Sequence, residues 1–461
     1  MLTSELYQLR YILFIELSLL LILAILGLIP FLVLSGFLLL IIILIAVYKF
    51  PVAAIYILIF SILADSFIPI KRNITGPSLL SVELFFVAFL GMGIIWFLTN
   101  LNKPTEIPNL ILVWIPFLLW SLLIGLVVAV DQYRVVTYWK NFFAGFFTLI
   151  LVYYTVINRS QLKSIMFAIV IWGILLSLIE IKVVLDIGGL TVGLIGLFLK
   201  KNLLTLGWGR SNYLAAFFVI IIPFTIGFLF YTKSKKMKLF LTFAIILMSS
   251  ALVLTLSRGG VLAFLIALII LFSRLLKPKT LIPLILVASV VVTVLLLNPL
   301  TIVLFERIFE LGTSASVYSR INFYIDTWNT FLKHPITGVG IANLGYYSTF
   351  ILPPTESPSA HNIVLGALGE IGIVGSILYF TIFILLIKKV YLEYKFETNE
   401  SLRLLRWGTI SALLGGLIHT LVEPTLEGIQ FSILFWVISG ISLKINLFST
   451  SEPKKLFISS E

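Results

Sequence analysis

SNYLAAFFVIIIPFTIGFLFYTKSKKMKLFLTFAIILMSSALVLTL, residues 211–256, decides the fold class. Two apolar runs, 211–231 and 239–256, flank the cationic break KSKKMK at Lys233–Lys238. Each run has about the 20 residues that an α-helix needs to cross roughly 30 Å of hydrocarbon. A lysine-rich turn between two such runs predicts a pair of spanning helices with the turn on the cytoplasmic side.

Working outward, comparable runs fall at 11–29, 31–48, 51–64, 79–98, 109–130, 141–157, 162–182, 259–274, 281–297, 363–387, 404–422 and 428–446. The shortest, 51–64, is the weakest, so the sequence predicts about 12–14 spans. Of the 461 residues, 60% are hydrophobic and 11% charged, against about 45–50% and 25% in soluble proteins. The expectation is an all-α, polytopic membrane protein with residues 1–461 forming one integral membrane domain. The first apolar run is too long for a signal-peptide core and has no A-x-A site near it, so it reads as a retained span.

Two function classes drop out early. The chain has no cysteine, which removes disulfides and thiol nucleophiles. Its formal net charge of +12 does not imply nucleic-acid binding, because most basic residues sit in short loops, where they orient the chain. Arg10, Lys49, Lys103, Arg159, Lys163, Lys233–Lys238, Arg274–Lys279, Lys388–Arg406, Lys454 and Lys455 all share one side if every span crosses. That side reads as the cytoplasm, holding both termini.

The long polar interruption at 298–362 then lies outside, as one large extracytoplasmic loop before the last spans. A loop of this length carries function more often than it merely connects. Within it, YSRINFYIDTWNTFL (Tyr318–Leu332) places apolar residues at 321, 324/325, 328 and 331/332. That spacing predicts an amphipathic helix lying on the membrane, with Arg320 and Asp326 off the apolar stripe.

Several cations oppose the orienting bias by lying at the outer side, among them Arg134, Lys140, Lys182, Arg210, Arg258, Arg320 and Lys333. Two explanations fit: an anion site at the outer leaflet, or long side chains reaching lipid phosphates. Arg210 and Arg258 lack nearby acidic partners in sequence and are flanked by glycines, which favours the site at those two positions.

His361 is the leading candidate for chemistry. An imidazole near neutrality can take a proton from a hydroxyl, and this one stands where the loop enters a span. No His, Asp or Glu follows at i+3 or i+4, so a metal site is not indicated. The competing reading is structural, with His361 or Asn362 capping the helix. His334 and His419 are weaker candidates, the latter as packing or as a polar pair beside Glu423 and Glu427. Gly366, Gly369, Gly372 and Gly375 give the same helix a glycine every third residue, a pattern of close helix contact in lipid. Glu16, Glu83, Glu180 and Glu370 are intramembrane acids that need partners.

These features together resemble the O-antigen ligase and polymerase superfamily of bacterial membrane glycosyltransferases. The resemblance rests on SRGG (Ser257–Gly260), on Arg320 with W-x5-HPITGVGIANLG (Trp328–Gly345), and on His361-Asn362 followed by Gly372 and Gly375. It covers roughly Gly207 to Ile387; the N-terminal third matches only in being apolar. It implies a GT-C-like helical fold and, as donor, a glycan on a polyprenyl diphosphate such as undecaprenyl diphosphate. It also implies an acceptor glycolipid, glycan or protein at the outer face, as in lipopolysaccharide or other cell-envelope polysaccharide biosynthesis, with no cofactor or metal. His361 then matches the base that deprotonates the acceptor hydroxyl, while Arg210, Arg258 and, less closely, Arg320 match the arginines that hold the diphosphate. A polymerase would use the same donor type, with a second lipid-linked glycan as acceptor. A transporter or flippase is the remaining class; it predicts broken helices at mid-membrane, often with internal repeats.

Overall fold

The computed structural model describes residues 52–59, 109–188, 204, 211–275, 320–348 and 360–448. They are helical, with no strand among them. In chain order the helices are α1 (Asn109–Val128), α2 (Gln132–Thr155), α3 (Arg159–Asp186), α4 (Ser211–Tyr231), α5 (Lys235–Leu254), α6 (Arg258–Leu275), α7 (320–333), α8 (Ile363–Phe396), α9 (Glu400–Thr420) and α10 (Ile429–Lys444). Seven of the described helices are long and apolar enough to cross a membrane, as a polytopic membrane protein requires. The runs predicted at 11–29, 31–48, 79–98 and 281–297 lie outside the described residues, as does part of 51–64.

Helix α2 departs most from the sequence expectation: it starts at Gln132, not near residue 141. The segment QYRVVTYWKN falls almost wholly between two predicted runs, but Asp131 caps it by accepting from the Arg134 amide, and the helix runs through Arg134 and Lys140. Helix α8 also extends past the predicted end at 387, to Phe396.

Helix α4 forms the centre. It has no charged residue and is buried along nearly its whole length. Its tightest contact is with α9, where glycine meets glycine: a Cβ on Gly408 would stand 2.5 Å from the Gly227 Cα. Small residues allow this approach where lipid supplies little hydrophobic drive for helices to associate. Gly145 similarly admits the Trp436 ring between α2 and α10. The outward faces remain apolar, as with Leu239, Phe243, Ile246 and Val253 along α5, which suits contact with lipid.

Helix α8 is broken at Gly372 (φ 66°, ψ −175°). The break frees carbonyls that must find other donors, and residues from distant segments supply them. The Val339 amide donates to Gly369 O at 3.0 Å and the Gly340 amide to Glu370 O at 2.8 Å, while the Ile373 amide donates to Pro335 O at 2.8 Å. The indole of Trp120, on α1, donates to Ile371 O at 3.1 Å. Segment 335–340 is thereby stitched to the break. A Cβ on Gly372 would lie 2.2 Å from Ile336 O, so glycine is required for both conformation and space.

The spaced glycines of α8 are therefore not one helix-packing stripe. Gly369 faces Leu344 and Thr327, Gly375 faces Trp120, and Gly366 has nothing nearer than 3.6 Å.

Candidate functional site

Successive helices run between two ends of the bundle. One end gathers Asp131, Ser257, helix α7, His361-Asn362 and the link 421–428 between α9 and α10. Glu423, on that link, is the hub. Its side chain is 2% exposed. Oε2 accepts from Asn212 Nδ2 at 2.9 Å and from Arg320 Nη2 at 3.5 Å. Oε1 stands 3.3 Å from His361 Nδ1. Four parts of the chain that are far apart in sequence meet on one buried carboxylate, which desolvation would make costly were it left unpaired.

His361 is 13% exposed at its side chain and has a left-handed backbone, φ 48°, a conformation that costs a non-glycine residue of order 1–3 kcal/mol. It is not the helix cap. Asn362 takes that role, its Oδ1 accepting from the Val364 and Leu365 amides while its Nδ2 donates to Leu421 O at 3.0 Å. The structural reading of the pair thus falls on Asn362. With Nδ1 protonated and donating to Glu423, Nε2 keeps a lone pair that can accept a proton. Phe323 of α7 lies beside the ring, with centroids 6.1 Å apart.

The arginines come next. Arg320 also donates to Val422 O at 3.2 Å, so α7 is tied to the link at two points. Arg258 opens α6, on the exposed surface. Its neighbour Ser257 joins the hub network: the hydroxyl donates to Asn212 Oδ1 at 2.9 Å and accepts from the Gly260 amide at 3.1 Å as the helix cap. Gly259 and Gly260 let Val422 and Ala215 press against this turn. SRGG is thus a capped helix start held against both the link and α4. Arg210 lies outside the described residues; α4 begins at the next residue, Ser211.

Helix α7 forms where the amphipathic pattern predicted it. Ile321, Ile325, Trp328 and Leu332 turn outward, each about half exposed. Thr327 and Thr330 face inward and are buried, and Asp326 accepts from the Ser348 hydroxyl at 3.0 Å. Asn343 fixes the following segment to the α1–α2 turn. Its Oδ1 accepts from the Asp131 amide at 2.8 Å, and its Nδ2 donates to Asp131 O at 3.1 Å.

The other sequence candidates take no part in the side-chain contacts at Glu423. His334 packs its ring against Tyr347. His419 is fully buried, and neither of its ring nitrogens finds a partner. The Glu370 carboxyl accepts from the Ala342 amide, whereas both oxygens of Glu180 are unpartnered. Glu427 lies on the link in a 3-10 turn; burial, then the nearby Glu423 charge, pushes its carboxyl up to about 8. Among the described residues, no three of His, Asp and Glu are grouped to hold a metal.

Sequence reasoning missed Glu423 as the hub, noting it only as a neighbour of His419. Nothing in its local sequence signals the contact, which needs α4, α7, α8 and the link in place together.

These features define a polytopic helical membrane protein with a polar, arginine-bearing site at one end of its bundle. Residues 243–380 match the family model described as O-Antigen ligase, which supports the O-antigen ligase superfamily and, broadly, a membrane enzyme of glycosyl transfer. No curated protein matches the chain.

Proposed function

We propose that this protein transfers a glycan from a polyprenyl diphosphate to an acceptor hydroxyl at the outer face of the plasma membrane. The observation that carries the reading is the convergence of His361 and Arg320 on Glu423, joined through Asn212 to the Ser257–Arg258 turn. His361 Nε2 takes the acceptor proton as the acceptor oxygen attacks the anomeric carbon. The bond from that carbon to the diphosphate oxygen breaks, and its electron pair leaves with the diphosphate. Arg258 and Arg320, with Arg210, bind the charge on that leaving group; planar guanidinium forks suit phosphate oxygens. Glu423 holds the imidazole in the tautomer that puts the lone pair on Nε2 and stabilises the imidazolium as it forms. A diphosphate already leaves readily, so one base and a cluster of guanidinium donors supply what the step needs.

Two observations weigh against a transporter. Among the described residues, the polar groups of the candidate site gather at one end, and the carbonyls freed by the break in α8 are taken by protein donors.

The acceptor distinguishes ligase from polymerase, and the His361–Gly375 spacing favours the ligase. A strain lacking the protein should then accumulate long, already polymerised lipid-linked glycan. A pool holding only single repeat units, with one unit on each final carrier, would identify a polymerase instead. In a membrane assay with lipid-linked donor, His361→Ala should lose nearly all product, and normal product from that variant would overturn the reading.

A further inference from the structure

At the end opposite His361, α8 carries a second polar feature that glycan transfer does not use. Arg406 of α9 is buried, its side chain 1% exposed. It is held by Glu393 at 2.7 Å and Glu397 at 3.3 Å, and it donates to Asn446 Oδ1. Beside this network lies a cleft of about 450 Å³ between α1, α2, α8 and α10. Leu110, Leu385, Leu392 and Leu443 form its apolar wall, and Lys388 and Lys389 stand at it with Asn109 and Asn446. A second cleft of about 510 Å³ shares Lys389, Leu392, Glu393 and Asn446 with the first and reaches Arg406.

Donors outnumber acceptors here. Lys388 makes no ion pair among the described residues, and Lys389 reaches Glu393 only at 3.6 Å with its side chain 60% exposed. The Nζ of Lys444 adds charge above Tyr153, a lining residue, 4.4 Å from the ring centroid. Glu393 and Glu397 are already engaged by Arg406. The height also fits. Lys388 and Lys389 directly follow the apolar run that ends at Ile387, which places them at headgroup level.

We propose that this cleft binds the headgroup and upper acyl chain of an anionic phospholipid. The phosphate sits on Lys388 and Lys389, the two carboxamides donate to its oxygens, and the chain lies along the leucines. A free anion would have no use for the leucine wall, and a zwitterionic headgroup would bring its own cation against the lysines. Basic pockets between spanning helices are suited to such headgroups. The site pins together four helices, one of which carries His361 at its far end, and it does not depend on the chemistry proposed for that residue.

The experiment uses the full chain purified in a neutral detergent. Native mass spectrometry should show phosphatidylglycerol retained in preference to phosphatidylcholine, and phosphatidylglycerol should raise Tm where phosphatidylcholine does not. The Lys388→Gln, Lys389→Gln double variant should bind phosphatidylglycerol about 30-fold more weakly, as expected for losing two lysine contacts. Lys235→Gln, Lys236→Gln on α5 removes the same charge away from the cleft and should bind as wild type does. Equal retention of the two lipids, unchanged affinity in the cleft variant, or an equal loss in the α5 variant would overturn the proposal. So would an equal rise in Tm with inorganic phosphate alone.

Discussion

His361 Nδ1 and Glu423 Oε1 stand 3.3 Å apart, and the same carboxylate is bound through its other oxygen by Asn212 and Arg320. Removing the imidazole and removing the charge behind it should therefore differ in effect. His361→Ala should reduce transfer by about 10²–10⁴-fold, the usual contribution of a general base, while the protein still accumulates in the membrane. Glu423→Gln keeps the shape but loses the charge that supports an imidazolium. It should lower the rate less. An unchanged rate in Glu423→Gln would reduce Glu423 to a structural tie.

Arg258 and Arg320 are expected to respond differently to substitution by lysine. Lysine keeps the charge but not the planar fork. Arg320 makes two contacts to the link, so Arg320→Lys should lower both activity and Tm. Arg258 opens α6 on the exposed surface, and Arg258→Lys should cut activity by about tenfold or more. Full activity in Arg258→Lys would mean that charge alone matters there.

The glycines of α8 give a stability test with an internal control. Gly372→Ala forces a Cβ to within 2.2 Å of Ile336 O at φ 66° and should destabilise by about 3 kcal/mol or more. Gly366→Ala, whose nearest neighbour would be 3.6 Å away, should leave Tm within a few degrees of wild type. Thermal melts of the two purified variants decide the matter, and equal Tm values would refute the docking described for segment 335–340.

Glu427 should give the protein a pH signature. A carboxyl raised to about 8 binds its proton more tightly folded than unfolded. Its favourable contribution is complete below the ordinary carboxylate range and declines as pH rises from there through about 8. Glu427→Gln removes that decline. The Tm of the variant minus that of wild type should grow between pH 6 and pH 9; a constant difference would contradict the assignment.

Orientation is open to direct measurement. Reporters fused after Lys236 or Arg403 should read cytoplasmic, and one within residues 348–358 should read external. The motive is the concentration of Lys and Arg at the end opposite His361. An external signal after Lys236 would invert the whole arrangement.

Most of the helical framework was legible, because a span needs only an apolar run of sufficient length, and α4 matches its predicted bounds of 211–231. The failures occur where polar residues belong to a helix. Arg134 and Lys140 hid the first turns of α2, since their hydropathy resembles that of a loop while the Asp131 cap is a local hydrogen bond. His361 and Arg320 were legible as candidates by residue type and place. Gly372 was visible as one of a series of small residues and as part of the His361–Gly375 motif, but its break was not, because its φ is set by a segment that docks from elsewhere in the chain. Glu423 was illegible as a hub for the same reason.

The stitched break in α8 has a consequence for turnover. Residues 335–340 and the start of α8 share backbone hydrogen bonds, and α7, which leads into that segment, is tied to the link through Arg320. The separation between Arg320 and His361 is therefore set when the chain folds. Substrate does not have to gather these groups, so the entropy of ordering them is spent once per molecule and not once per reaction.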